Sequence, residues 1–421
     1  MTSEQVVIPS VIALHAEESA LLWLTRAALT EAPHVALASL LRLDDRLAAH
    51  LDGLAVAGEG AWPTCEAALE SPSAGVTFTA AAVAIGERSQ EKLGRLFGFA
   101  EAAPEARGGL TAAFGWTSGA RLTGLGRELL TASSPTRRRL GLAACRLHGV
   151  DPGAPLRAGL KDANAAVRAE ALRTAGTLGK QELVSTCASA ALEDDDPDCQ
   201  FWAAWSAVLL GHRGSVLDAL TGMGEADGPH RTRAFRLSLQ AMDARAAHAV
   251  LQRLARDPKD LRRLIQGSGI AGDPAYVPWL IGHMTKNETA RLAGEAFSLI
   301  TGLDLALLDL ERKPPEDFES GPNDDPNDPN VDMDPDDGLP WPDPERIQKW
   351  WDTNGARFQR SERYFMGAPV TRAHCVDILK NGYQRQRILA AHDLCLLEPG
   401  TPLFNTSAPA WRQQRLLAQM E

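Results

Sequence analysis

Asp332, Asp334 and Asp336 alternate along one stretch of the chain. This is the spacing with which a calcium loop turns carboxylate oxygens toward a hard cation. The rest of that loop's chemistry is missing. Asp337 stands where the loop needs glycine, Asp343 rather than a glutamate would close the site, and Pro335 stiffens the turn. The competing reading is a solvated acidic loop, and no metal site is assigned. A second run, Gly267-Ser268-Gly269-Ile270-Ala271-Gly272, has the spacing of a dinucleotide loop. Such a loop needs a strand before it and a helix after it. Here residues 261–266 read as helix and Asp273-Pro274 follows, so the glycines are expected in a turn between helices.

Ten histidines are scattered without metal-ligand spacing, and the neighbours His374 and Cys375 would point to different sides of a helix. No serine occupies a nucleophile elbow and no Walker-type phosphate loop occurs. No catalytic residue and no cofactor are therefore assigned. Phe201, Trp202 and Trp205 crowd one predicted helix, with Trp202 and Trp205 on one side. They are either core packing in an alanine-rich unit or an anchor for a partner protein, since tryptophan is enriched in binding hot spots. Trp341, Trp350 and Trp351 pose the same choice. Arg137, Arg138 and Arg139 read as a solvated helix face, with a local phosphate contact as the alternative.

The elements that must carry these residues repeat. Residues 161–179 read KDANAAVRAEALRTAGTLG, and residues 193–211 read EDDDPDCQFWAAWSAVLLG, the same pattern 32 positions on. Val167, Ala171, Ala175 and Leu178 recur at helical spacing and line one face. Asp162 and Asn164 supply capping chemistry before the helix, and Gly179 is placed to end it. A second helix follows at once, with Leu183, Cys187 and Ala190 or Ala191 as its apolar face. Drifted copies end at Gly86, Gly149 and Gly302, and QRQRILAAHDLCLL repeats the idea after residue 370. A period near this length indicates stacked helical hairpins, so the expected fold is all-α, an α-solenoid.

The phrase Asp162, Val167-Arg168, Ala171, Ala175, Leu178, Gly179 resembles the HEAT repeat. The resemblance implies a polar ladder between successive units, carried here by Asp162, Arg168 and Asp194. The second copy has Cys199-Gln200 where Val-Arg belongs, which interrupts the ladder. The C-terminal phrase from Gly382, GYQRQRILAAHDLCLLEPGTPLFNTSAPAWRQQRLL, together with the HEAT-like middle, resembles a proteobacterial family of HEAT-repeat proteins often encoded near type VI secretion genes. That resemblance implies a context and no catalytic residues.

The recurring phrases, their resemblance to HEAT repeats and the acidic composition of one segment together suggest a helical cap over residues 1–64, HEAT-like repeats over 65–315, an acidic loop over 316–342 and a C-terminal repeat and cap over 343–421. Glu17 to Thr30 is expected as an amphipathic capping helix, and the glycine-rich stretches 53–60 and 108–126 as loops or strongly diverged units. Asp343-Pro344 is a clear helix start for the stripe Ile347, Trp350, Trp351, with Gly355 as the stop. The net charge is −11. Between Glu316 and Glu345 there are twelve acidic and no basic residues, whereas residues 346–421 carry eleven basic and six acidic. The acidic segment is expected to fold back on a basic groove of the C-terminal region until a partner displaces it.

This balance disfavours nucleic acid and anionic membranes as partners. No apolar run reaches membrane-span length, the first residues make a poor secretory signal, and six cysteines without a C-x-x-C pair favour a reducing cytoplasm. The expected function is a non-catalytic scaffold that binds a protein, and the family context points to an adaptor or chaperone for a type VI secretion effector. An immunity-type protein that neutralises a toxin is the near alternative, and a helical-repeat enzyme or lyase-like subunit a further one.

Overall fold

The computed structural model describes residues 8–316, 318 and 334–420. Among them are 22 α-helices and one two-stranded antiparallel hairpin, Tyr364–Phe365 with Ala368–Pro369. The fold is all-α, with helices packed in neighbouring pairs as in an α-solenoid. Contacts divide the described residues into two compact units. One comprises residues 8–31, 35–216 and 398–420, and the other 32–34 and 217–397.

In the first unit the helices Pro9–Leu29, Ala74–Gly86, Ala106–Trp116, Pro135–His148, Ala165–Thr177 and Pro197–Leu209 form one layer, each packed on the next. Their starts follow from local chemistry. Ser73, Asn164 and Asp196 each accept a backbone N–H three residues on, and Pro135 and Pro197 occupy first-turn positions. Shorter helices such as Val184–Glu193 pack behind them, burying Cys187 and Ala191. Small residues let the layer close up. A Cβ on Gly176 would fall 2.4 Å from the hydroxyl oxygen of Ser206, and that hydroxyl donates to the Leu172 carbonyl at 2.8 Å.

The second unit stacks Arg231–Ala241, Leu261–Ala271 and Asn287–Thr301, backed by Ala244–Leu254 and Val277–His283. Pro344–Asn354 begins where its sequence indicates: the Asp343 carboxylate accepts from the Glu345 and Arg346 amides at 3.0 and 3.1 Å, and Ile347 is fully buried. The run Gly267–Gly272 is not an inter-helix turn. Gly267 and Gly269 lie inside Leu261–Ala271, and only Gly272 leaves it, at φ 73°. The physical reason is packing, because a Cβ on Gly269 would sit 2.8 Å from the Ala296 Cα. Gly108, Gly109 and Gly115 likewise lie within Ala106–Trp116, and Gly53 within Leu37–Ala57.

The repeat-ending glycines do two jobs. Gly149, Gly179, Gly211, Gly272 and Gly302 all take positive φ, which frees the helix end. At several of them an extended segment then crosses the helix terminus. In the first unit the Leu403 amide donates to the Thr177 carbonyl at 2.9 Å, and a Cβ on Gly179 would meet the Gly400 carbonyl oxygen. In the second, the Tyr364 amide donates to Gly272 O at 2.9 Å, and Met366 and Gly367 donate to Leu299 and Ile300 at 2.6 and 3.1 Å. Helix-terminal carbonyls that lack an intrahelical donor are thereby satisfied.

Candidate interaction surfaces

Asp162, Arg168 and Asp194 are brought together in the first unit. Arg168 Nε and Nη2 donate to Asp194 Oδ2 and Oδ1 at 3.0 and 2.9 Å, and its Nη1 reaches the Asp162 and Ala163 carbonyls at 3.1 and 3.3 Å. One unit earlier, Arg138 Nε and Nη2 hold Asp162 at 2.8 and 3.0 Å. These arginine hydrogen bonds keep the Asp162 and Asp194 carboxyls below the usual range. At Gln200, where the repeat pattern calls for arginine, the side-chain amide instead donates to the Asp194 carbonyl at 2.7 Å.

The tryptophans fall into two groups. Trp205 is 5 % exposed and Trp341 6 %, so their rings have little surface left to offer. Trp202, Trp350 and Trp351 are half-buried. The Arg173 guanidinium lies 4.2 Å above the Trp202 ring, which meets Trp205 edge-on at 5.4 Å. Trp350 and Trp351 pack beside Phe358 over the Ile347 core. Trp341 is one of two rings stacked on Arg291, Phe318 being the other.

Two features escaped sequence reasoning. On Pro9–Leu29, Leu14 and Leu21 lie two turns apart and are 52 % and 59 % exposed, flanked by exposed Val11 and Leu24 with Glu17 between them. The signal was present, since this helix has apolar residues on more than one face. The second feature is a buried pair on facing helices. Arg26 Nε donates to Asp44 at 2.5 Å, and the same guanidinium reaches the Ser407 and Ala408 carbonyls at 3.0 and 2.8 Å. Asp44 Oδ2 in turn accepts from the Ala410 amide at 2.6 Å. A solvent-facing role is the ordinary expectation for either side chain, so nothing local marks them.

Several titratable groups are sealed in packing. His392 and Asp393 are adjacent on Gln384–Leu397. His392 Nδ1 bonds Gln240 at 3.0 Å and Asp393 accepts from Arg363 at 2.9 Å. Burial pushes the His392 imidazole down to about 3 and raises the Asp393 carboxyl despite Arg363. Burial also pushes Cys187, Cys199, Cys375 and Cys395 up to about 12, so these thiols stay protonated. Among the described residues no group of His, Cys, Asp or Glu is placed to hold a metal, and no helix is long and apolar enough to cross a membrane. Asp332 lies outside the described residues; the Asp334 and Asp336 carboxylates face Arg291 and Arg262.

Residues 153–240 match the family model for HEAT repeats. The match supports placement in the HEAT-repeat superfamily. It spans the Arg168–Asp194 rung and the helices from Ala154–Gly159 to Arg231–Ala241. No curated protein and no solved structure matches the chain. HEAT repeats make a helical scaffold suited to protein interaction and are typically non-catalytic.

Proposed function

We propose that this HEAT-repeat chain is a non-catalytic scaffold that binds another protein, and that its partner is a type VI secretion effector for which it acts as adaptor or chaperone. The observation that carries protein binding is the exposed Val11, Leu14, Leu21 and Leu24 ridge on the helix Pro9–Leu29. Apolar side chains clustered on an exposed helix face are unfavourable in water, and covering them with a partner surface lowers the free energy by about 25 cal/mol per Å². Trp202, Trp350 and Trp351, half-buried and rigid, are the aromatic positions we assign to the same role. The secretion context rests on the resemblance of the C-terminal phrase and the HEAT-like middle, and an immunity-type role fits the same surface. The scaffold is proposed to work in the cytoplasm.

The test is native co-purification of tagged protein with the products of neighbouring genes, beside a Leu14→Asp/Leu21→Asp variant with unchanged helical circular dichroism. Recovery of a secreted effector by the wild type and its loss in the variant is the expected result. Recovery of none of the neighbouring products removes the adaptor reading, and equal recovery by the variant moves the contact off this helix.

A further inference from the structure

One short phrase occurs three times with the same aspartate–amide turn and an arginine on its outer oxygen, two-pronged in the first two copies and single in the third, and the third has no helix behind it. In Asp162-Ala163-Asn164, Asp162 Oδ1 accepts from the Asn164 amide at 2.9 Å while Oδ2 takes Arg138 at 2.8 Å. In Asp194-Asp195-Asp196, Asp194 Oδ1 accepts from the Asp196 amide at 3.0 Å while Oδ2 takes Arg168 at 3.0 Å. Both turns open a repeat, and both arginines sit in the first turns of the helix before. In Asp334-Pro335-Asp336, Asp334 Oδ1 accepts from the Asp336 amide at 2.9 Å while Oδ2 takes Arg291 at 2.7 Å. Arg291 belongs to the first turns of Asn287–Thr301, so Asp334 stands where the next repeat's aspartate would stand. Instead of a helix, Asp337-Gly338 and an irregular path lead from this turn to Trp341.

The receiving surface is built for this turn. Arg291 is 8 % exposed at its side chain, stacks on Phe318 and Trp341 at 4.7 and 4.9 Å, and also donates to the Asp336 carbonyl at 3.1 Å. Arg262 donates to the Asp336 carboxylate at 2.6 Å. Arg385, held by Glu295 at 2.9 Å, reaches the Pro335 carbonyl at 3.2 Å. Three arginines thus read both carboxylates and the backbone between them. The acidic segment was expected to dock on the C-terminal region. Its described end sits mainly on Arg262 and Arg291 of earlier helices, and Arg385 alone comes from the C-terminal part.

We infer that the Arg262, Arg291 and Arg385 cleft is a recognition site for an Asp-x-Asp turn, occupied in cis by residues 334–336, and that an acidic Asp-x-Asp segment of a partner protein takes their place. The inference rests on the scaffold reading and specifies the partner's chemistry. The cis turn is held mainly by arginine contacts to its carboxylates and carbonyls, with Gly338 close against His34, while Pro335 and Asp337 stay exposed. Salt screens the half-exposed Arg262 contact more than the buried Arg291 one, and both are open to a competitor of like charge. Tethering gives the cis turn a high effective concentration, so a partner is admitted only when its own segment binds more tightly or is locally concentrated.

The probe is an acetylated, amidated peptide Asp-Pro-Asp-Asp-Gly-Leu, titrated calorimetrically into wild type and an Asp334→Asn/Asp336→Asn variant. The emptied variant is expected to bind it at least about ten-fold tighter than wild type. Adding Arg262→Ala to the variant is expected to reverse that gain, and about 300 mM salt to weaken binding in both. Equal binding by wild type and a folded variant overturns the proposal. A variant that binds no peptide but dimerises in light scattering overturns the partner assignment in favour of exchange between two copies. Should the variant not fold, hydrogen exchange of residues 334–338 in wild type decides: peptide-induced loss of protection supports the cleft, and unchanged protection at saturating peptide overturns it. Peptide binding with a failed co-purification removes the adaptor reading alone, and the converse removes the cleft alone.

Discussion

His392 illustrates how a single buried side chain sets a property of the fold. Its imidazole is pushed down to about 3 by burial, with Arg236 adding to the effect, against an ordinary value of 6.5. Below pH 6.5 the unfolded chain takes up a proton that the folded chain refuses. Stability is therefore full above pH 6.5 and falls as pH drops toward 3, by up to about 1.4 kcal/mol per pH unit. Burial lowers His148 and His283 in the same sense. Glu295 and Asp393 act oppositely, because burial raises their carboxyls and the folded state takes up those protons first. Asp162 and Asp194, held low by arginine, lose their contribution only below the ordinary carboxylate value of 3.8. Melting temperatures measured from pH 7 to pH 5 should thus fall, and fall less steeply in His392→Gln. Parallel slopes would show that His392 titrates in the folded state as it does unfolded. At the ladder, Arg168→Ala removes both bonds to a largely buried Asp194 and is expected to cost about 1–3 kcal/mol in chemical denaturation. Arg168→Lys should recover only part of this, since an ammonium cannot reproduce the two-pronged contact.

Helix ends are where the elements carry information beyond their own propensity. Gly149 and Gly179 both sit at φ 67°, so an alanine at either suffers the same left-handed penalty, about 1–2 kcal/mol. They differ in what lies outside. A Cβ at Gly149 meets nothing within 4 Å, whereas one at Gly179 would fall 2.1 Å from the Gly400 carbonyl oxygen. Gly179→Ala should therefore be more destabilising than Gly149→Ala by roughly 1–3 kcal/mol, the scale of a steric insertion into packed structure. Equal losses would mean that the crossing segment yields freely. The same contrast explains what the sequence made legible. Gly149, Gly179, Gly211 and Gly302 were readable as stops, and Asp343-Pro344 as a start, because capping is decided within a few residues. Gly267 and Gly269 were misread as a turn, because their need for small size comes from Phe235 and Ala296 on other helices. The Asp162–Arg168–Asp194 spacing was legible as a repeat. The matching pair Arg291–Asp334 was not, since its aspartate lies at the end of a segment whose composition hides any register.

At the scale of the whole chain, the first unit is closed by residues far away in sequence. The stretch 398–420 passes the ends of Ala165–Thr177 and Pro197–Leu209 at Gly400 and Pro399. It then meets Arg26 through the Ser407 and Ala408 carbonyls, and Arg412 donates to Gly115 O at 2.8 Å. Most of these contacts are to backbone atoms, so the composition of this stretch gave no hint of where it docks. Its keystone is the buried Asp44, 0 % exposed, which shares its carboxylate between Arg26 and the Ala410 amide. Ala410→Pro removes that last bond and also sets the ring Cδ against the carboxylate, because Ala410 is itself fully buried. Position 410 begins the helix Ala410–Leu417, where proline is tolerated, and Pro409 before it is already extended at φ −50° and ψ 135°. The substitution thus keeps local backbone preferences intact while deleting one N–H and crowding a buried carboxylate. The lost donor costs about 1–3 kcal/mol, and the crowding adds about 1–3 kcal/mol more. In hydrogen exchange the loss of protection should concentrate in Pro9–Leu29 and Leu37–Ala57, the helices bearing Arg26 and Asp44, although they lie hundreds of residues from the substitution. Loss confined to Ala410–Leu417 would instead mean that this helix frays alone and that the Arg26–Asp44 pair holds the terminus without governing the helices beneath it.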